Sequence, residues 1–161
     1  MKIAVLRETA PGETRVAATP ETAKKFIGLG ADVAVEAGAG EAASIPDADF
    51  EAAGASVGSR DKLLADAELI LCVNGPDAAS LKGTKTGAVL VGALDPLRRK
   101  EVIEGYASAG LEALAMEWMP RITRAQSMDI LSSQSNLAGY KAVVDGAAAY
   151  GRAFPMMMTA A

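Results

Sequence analysis

The sequence predicts an α/β fold, a doubly wound parallel sheet followed by one long helix. Short β-branched runs alternate with helical segments along most of the chain, the sign of a parallel sheet covered on both faces. The helical segments carry recognisable start and stop residues. At 161 residues, half of them hydrophobic and 22% charged, the chain is long enough for one ordinary core and too apolar for disorder.

The first strand is expected at Lys2 to Leu6. Thr19-Pro20-Glu21 then supplies an N-cap, a first-turn proline and a first-turn acid for a helix that Gly30 closes. Asp32 to Glu36 reads as the second strand. A short helix is expected from near Asp47 to Gly54 and another from about Ser59 to Asp66. Leu69 to Val73 and Ala88 to Gly92 come next as strands three and four. Asp95-Pro96 repeats the helix-opening device with Gly110 as its stop, and Glu112 to Met116 is the fifth strand. Right-handed crossovers give this five-stranded sheet its simplest arrangement, the flavodoxin-like strand order.

After the fifth strand the chain from Trp118 to Asp129 is polar and irregular. A long helix is expected from about Ser132 to Ala153, capped by Ser132 or Ser133, with Leu137, Tyr140, Val144 and Ala147 forming one apolar stripe. The expected division is an N-terminal α/β domain over 1–131, then a connecting helix and the start of a further domain over 132–161. Ala153 to Ala161 is uncharged, where a free terminus is usually polar, so the chain reads as cut rather than finished.

Composition excludes much chemistry. Cys72 is alone, which removes internal disulfides and thiolate clusters. With no histidine there is no imidazole base, no histidine metal ligand and no ordinary catalytic triad, so no metal cofactor is expected. A net charge of -4 argues against nucleic acid as a partner. The one basic stretch is C-terminal, where Arg121, Arg124, Lys141 and Arg152 outnumber Asp129 and Asp145. No uncharged run approaches the roughly 20 apolar residues of a spanning helix, so direct membrane insertion is not expected. The apolar run at the N-terminus is too short for a signal peptide, which predicts a cytoplasmic protein.

Three segments are candidates for a site. Gly38-Ala39-Gly40-Glu41-Ala42-Ala43 follows a strand and fits the G-x-G-x-x-G/A pattern, but Pro46 stands where the helix of a dinucleotide turn would begin. A plain glycine-rich loop is the better reading. In the charged loop from Arg7 to Ala17, Arg7, Glu8, Glu13 and Arg15 either brace one another or leave the Arg15 fork to hold an anion. The third segment concentrates Arg121, Arg124, Gln126, Asp129 and Ser132 beyond the carboxyl end of a strand, the side on which open α/β sheets bind ligands. An Arg121–Asp129 pair would shape this loop, Gln126 offers a donor and an acceptor to a carboxamide or ribose, and Ser132 either contributes or merely caps the helix. Cys72 and Met156 to Met158 read as packing.

Arg7-Glu8-Thr9, Pro11 to Ala17 and Thr19-Pro20-Glu21 resemble the N-terminal signature shared by alanine dehydrogenases and the NAD(H)-binding (alpha) component of proton-translocating NAD(P) transhydrogenase. Met119 to Tyr140, with Phe154 to Ala161, is similar to the transhydrogenase branch in particular, and the resemblance covers the whole chain. It implies a flavodoxin-like first domain followed by the start of a Rossmann-type NAD-binding domain that the chain lacks. Alanine dehydrogenases carry a substrate-binding lysine and a catalytic histidine where this chain has Asn74 and Ala93, which favours hydride transfer between NAD(H) and NADP(H), a reaction that needs no acid or base. By the same resemblance Arg121, Gln126, Asp129 and Ser132 bind the nicotinamide end of NAD(H), with Gln126 and Asp129 positioning the ring and Gln126 reaching toward the NADP(H)-binding component. The implied partners are that component, a membrane-spanning component and a second copy in a homodimer, with the protein peripheral at the inner face of the membrane. The fragment alone is expected to be inactive. An alanine dehydrogenase-like fragment and a non-catalytic flavodoxin-like binding module are the alternatives.

Overall fold

Apolar runs of four to six residues form most of a single parallel sheet in the computed structural model, which describes residues 1–154. The chain divides into two compact units, Met1–Trp118 and the segment from Met119 onward. The first contains β1 (Lys2–Val5), α1 (Pro20–Gly28), β2 (Asp32–Glu36), α2 (Asp47–Ala52), β3 (Ser56–Gly58), α3 (Arg60–Asp66), β4 (Leu69–Asn74), β5 (Val89–Ala93), α4 (Lys100–Ser108) and β6 (Glu112–Ala115). All neighbouring strands pair in parallel in the order β3-β2-β1-β4-β5-β6. The five expected strands take the expected flavodoxin-like order. A sixth, β3, extends the sheet beyond β2, so the count of five is corrected. With only Ser56-Val57-Gly58 to offer, it has one β-branched residue and no alternation to read.

Alternation of side chains along the strands builds a core on each face. Ala4, Leu6, Ile70, Cys72 and Leu90 meet Leu63 and Leu64 of α3 and Tyr106 of α4. Ile3, Val5, Val33 and Val35 meet Ala23 of α1 and Phe50 of α2 on the other side. The expectation of cover on both faces holds at β1 and β2 but weakens toward β6. There Val89 and Val91 are only half-buried and Leu114, paired beside Val91, is 56% exposed.

Two helix starts differ from expectation. Asp95-Pro96 makes a turn instead of opening α4: Asp95 is left-handed (φ 48°), its carbonyl accepts from the amides of Arg98 and Arg99, and the helix begins at Lys100. Asp95 is held there from outside, because the Glu117 carboxylate accepts its amide. In the second unit the long helix, α5, spans Ile130–Ala149 and not 132–153. Its cap is Asp129, whose carboxylate accepts from Leu131 N at 2.9 Å and Ser132 N at 3.2 Å, so neither Ser132 nor Ser133 fills that role. Leu137, Tyr140 and Val144 are all exposed, and no residue of α5 is buried. Pro155 to Ala161, including Met156 to Met158, lies outside the described residues.

Candidate functional site

In this strand order the chain leaves β1 toward β2 and β3, then returns on the other side to β4. The carboxyl ends of β1 and β4 are therefore the topological switch point, where open α/β sheets form their ligand crevice. A crevice of about 290 Å³ lies there, lined by Arg7, Glu8, Asn74, Gly75, Asp77 and Arg99 among others. A second hollow of about 210 Å³ shares Arg7 and Glu8 with it and adds Glu13, Arg15, Gly38 and Glu41.

The chain's own acids close this edge of the sheet. One extra residue on β4 opposes Gly92, since Leu71 pairs with Val91 but Asn74 pairs with Ala93. That bulge presents the amides of Val73 and Asn74 to Glu8, at 2.6 and 3.1 Å. Glu36 at the end of β2 accepts from the Arg7 amide at 2.9 Å and pairs with Arg60, both side chains being largely buried. Asp47 accepts from Gly38 N at 3.0 and 3.1 Å, and Glu117 serves the amides of Leu94 and Asp95. Strand-end amides that elsewhere receive an anionic ligand are satisfied by carboxylates here.

Glu13 is the most constrained of these acids. It accepts from Arg15 Nε at 2.7 Å, Arg15 Nη2 at 2.6 Å and Asn74 Nδ2 at 2.8 Å, with its side chain 10% exposed. The Arg15 hydrogen bonds lead in holding its carboxyl at about 2, well below the usual 4.5, although burial opposes them. Of the two readings of the charged loop, bracing is the one this geometry realises for Arg15 and Glu13. Arg99 braces the far wall by donating to Gly75 O at 2.5 Å and pairing with Asp77. Cys72 is inert at the base of the crevice: burial pushes its thiol up to about 12, and its Sγ faces Val91 O at 3.5 Å.

The glycine-rich loop has the form expected of a non-nucleotide turn. Glu41–Ala43 is a single 3-10 turn, Ser44 is left-handed, and Pro46 precedes α2. The Gly38 amide is already committed to Asp47.

In the second unit Arg124 and Gln126 lie in a 3-10 segment, Thr123–Met128, Arg121 lies just before it, and Asp129 and Ser132 form the cap and first turn of α5. Asp129 and Ser132 are in contact, with Ser132 Oγ donating to Asp129 Oδ2 at 2.7 Å. This bond leads in lowering the Asp129 carboxyl, the Ser132 and Leu131 amides assist, and the Arg121 charge contributes least. Arg121 thus acts on Asp129 through its field, without the expected ion pair. Gln126 is exposed, and its side chain makes no hydrogen bond among the described residues; its carbonyl accepts from Asp129 N at 3.4 Å. Arg124 is likewise exposed. Among the described residues no group of three His, Cys, Asp or Glu is placed to hold a metal ion.

Sequence reasoning missed the roles of Glu36, Asp47, Arg60, Arg99 and Glu117. Apart from one Arg60 contact across 53 residues, their partners lie 9 to 29 residues away, beyond any local motif. The available signal was the position of Glu36 and Glu117 at or just after strand ends, where unpaired amides need acceptors.

Comparison with known proteins agrees with this architecture. The family described as alanine dehydrogenase/PNT, N-terminal domain, matches residues 4–138. An NAD(P) transhydrogenase alpha subunit of Rhodospirillum rubrum is 53% identical over 168 positions, covering all of this chain and 44% of that protein. The crystal structure of transhydrogenase from Sinorhizobium meliloti superposes with a TM-score of 0.91 at 51% identity, over 99% of this chain and 48% of that one. An alanine dehydrogenase of Halomonas elongata is 40% identical over 91% of this chain and 39% of its own length. The chain thus spans less than half the length of these relatives. On the family match and these identities, it belongs to the alanine dehydrogenase/PNT N-terminal domain family.

Proposed function

We propose that this chain is the N-terminal portion of the soluble NAD(H)-binding component of a transhydrogenase that transfers hydride between NAD(H) and NADP(H), coupled to proton translocation. The observation that carries the reading is the match of the whole chain, at 53% identity, to a transhydrogenase alpha subunit. The residues themselves support it. At the ends of β4 and β5, Asn74 donates to Glu13 and Ala93 offers only its carbonyl to Gly75 N, so neither position supplies an acid or base for an amino-acid dehydrogenase.

When bound, NADH supplies the hydride; the protein's task is placement and exclusion of water. Gln126 fits a carboxamide, because its own amide is exposed, is uncommitted among the described residues and offers both a donor and an acceptor. Arg121 offers a cation beside it in sequence. Asp129 and Ser132 fit a positioning role better than direct cofactor binding: their mutual bond fixes the first turn of α5 and with it the end of the Gln126 segment. The remaining cofactor contacts are assigned to a Rossmann-type domain beyond this chain, with 132–161 as the connecting helix and the start of that domain. The partners in this reading are an NADP(H)-binding component, a membrane-spanning component and a second copy. No helix among the described residues is long and apolar enough to cross a membrane, which is consistent with peripheral attachment at the inner face through those partners.

The test is steady-state hydride transfer by the full-length protein with its NADP(H)-binding component. Gln126→Ala is expected to lower kcat for NADH-to-NADP+ transfer by roughly ten-fold or more, the scale of one lost positioning contact. Pyruvate-dependent NADH oxidation by the full-length protein would overturn the assignment.

A further inference from the structure

The sequence holds two asparagines, and one of them, Asn74, is followed by glycine. An asparagine side chain is open to attack by the main-chain nitrogen of the next residue, and glycine, with no Cβ, hinders that approach least. Asn136 is followed by Leu137 inside α5 and lacks this weakness.

The fold pins each group that such an attack would move. The nucleophile, Gly75 N, donates to Ala93 O at 2.8 Å. The leaving nitrogen, Asn74 Nδ2, donates to Glu13 Oε2 at 2.8 Å, and Asn74 N donates to Glu8 Oε2 at 3.1 Å. Downstream, Arg99 Nη1 donates to Gly75 O at 2.5 Å and the Tyr106 hydroxyl donates to Pro76 O. A bulkier residue cannot replace the glycine, because a Cβ there would lie 2.9 Å from Leu94 Cδ2 and 3.0 Å from the Tyr106 hydroxyl. Packing therefore obliges the chain to keep a labile pair. Two of its restraints, Glu8 and Glu13, stand on the loop after β1, so lifting that loop releases Asn74.

We propose that Asn74–Gly75 is a site of spontaneous deamidation in the wall of the switch-point crevice, held latent by Glu13 and opened by local lifting of the loop after β1. In the reaction Gly75 N loses its proton to hydroxide and bonds to Asn74 Cγ. The Cγ–Nδ2 bond breaks, and the nitrogen leaves as ammonia after taking a proton from water. Water then opens the resulting cyclic imide to aspartate or isoaspartate, with no change of oxidation state. Aspartate places a carboxylate where Glu13 now receives a donor. Isoaspartate lengthens the main chain by one carbon at the point where Asn74 pairs with Ala93. Either product breaks the link between the loop and β4, a one-way change to the crevice wall. This inference rests on the first unit alone and is independent of the transhydrogenase reading.

The experiment incubates the whole chain at neutral pH and counts asparagine, aspartate and isoaspartate at position 74 by peptide-mapping mass spectrometry, with Asn136 as the internal control. Conversion is expected to be roughly ten-fold or more slower in the folded wild type than in the urea-unfolded chain, because opening precedes attack. The folded rate is expected to stay constant in urea below the unfolding transition, since a local opening exposes little surface. Glu13→Ala is expected to convert roughly ten-fold faster than a Phe50 variant (Phe50→Leu or Phe50→Val) matched to it in melting temperature, the effect of losing one bond to a charged acceptor. Phe50 serves as the control because it lies in the core on the opposite face of the sheet. The proposal is overturned by equal rates in the folded and unfolded wild type, by a folded rate that climbs with urea below the transition, or by a Glu13→Ala rate no faster than that of the matched Phe50 variant. The two wild-type arms decide if Glu13→Ala does not fold.

Discussion

Glu13 joins the loop after β1 to the end of β4 through Asn74, and this contact has a pH signature. Its carboxyl is held near 2 in the folded chain against 4.5 ordinarily, so the unfolded chain takes up the proton first as pH falls. The stabilisation is fully present above about 4.5 and drains away toward about 2. Glu13→Gln should cost about 1–3 kcal/mol near neutrality, the range for weakening charge-assisted hydrogen bonds to a largely buried group, and should lose this acid limb. Urea melts across that pH window check both. Gly92 is constrained by space: a Cβ there would sit 2.6 Å from both the carbonyl oxygen and Sγ of Cys72. Because the carbonyl belongs to the neighbouring strand at the bulge, it cannot swing aside. Gly92→Ala should therefore destabilise by about 1–3 kcal/mol, read as a lowered melting temperature. Gly139→Ala on α5, with nothing within 4 Å of the added carbon, should be neutral or stabilising.

Among the elements, α5 depends visibly on a single side chain. No residue of it is buried, so its first turn leans on the Asp129 cap. Asp129→Ala should cost that turn about 1 kcal/mol, seen as roughly five-fold faster hydrogen exchange at Leu131 and Ser132, while Asp129→Asn should retain most protection. This cap also marks the limit of what the sequence discloses. Asp129, Ser132 and Ser133 are all competent caps, and only geometry selects between them. Asp95-Pro96 carries the same start signal as Thr19-Pro20, and the second opens a helix while the first makes a turn, because Glu117, 22 residues away, takes the Asp95 amide. Five strands were legible because their β-branched runs are long enough to show; β3 was not, since Ser56 and Gly58 leave Val57 alone to signal it. The charged loop could be read as residue types, with Arg15 and Glu13 as natural partners. The seat of Glu8 on the Val73 and Asn74 amides could not, being a contact across 65 residues made possible by an unforeseen bulge.

At the scale of the molecule, the first unit presents a switch-point crevice lined by its own carboxylates, and the second presents Gln126 with a side-chain amide uncommitted among the described residues. The chain has no acid–base group placed for amino-acid oxidation at Asn74 or Ala93, and it spans less than half of its transhydrogenase relatives. On the proposed function, such a segment helps to position a cofactor whose main site lies elsewhere in the same component. Calorimetric titration of NADH into this chain, beside the full-length protein under identical conditions, tests that role most directly. Binding by the full-length protein with no heat of binding from the chain alone is the predicted result. Saturable NADH binding by the chain alone would contradict it and return the cofactor site to the loop at Gly38 to Ala43.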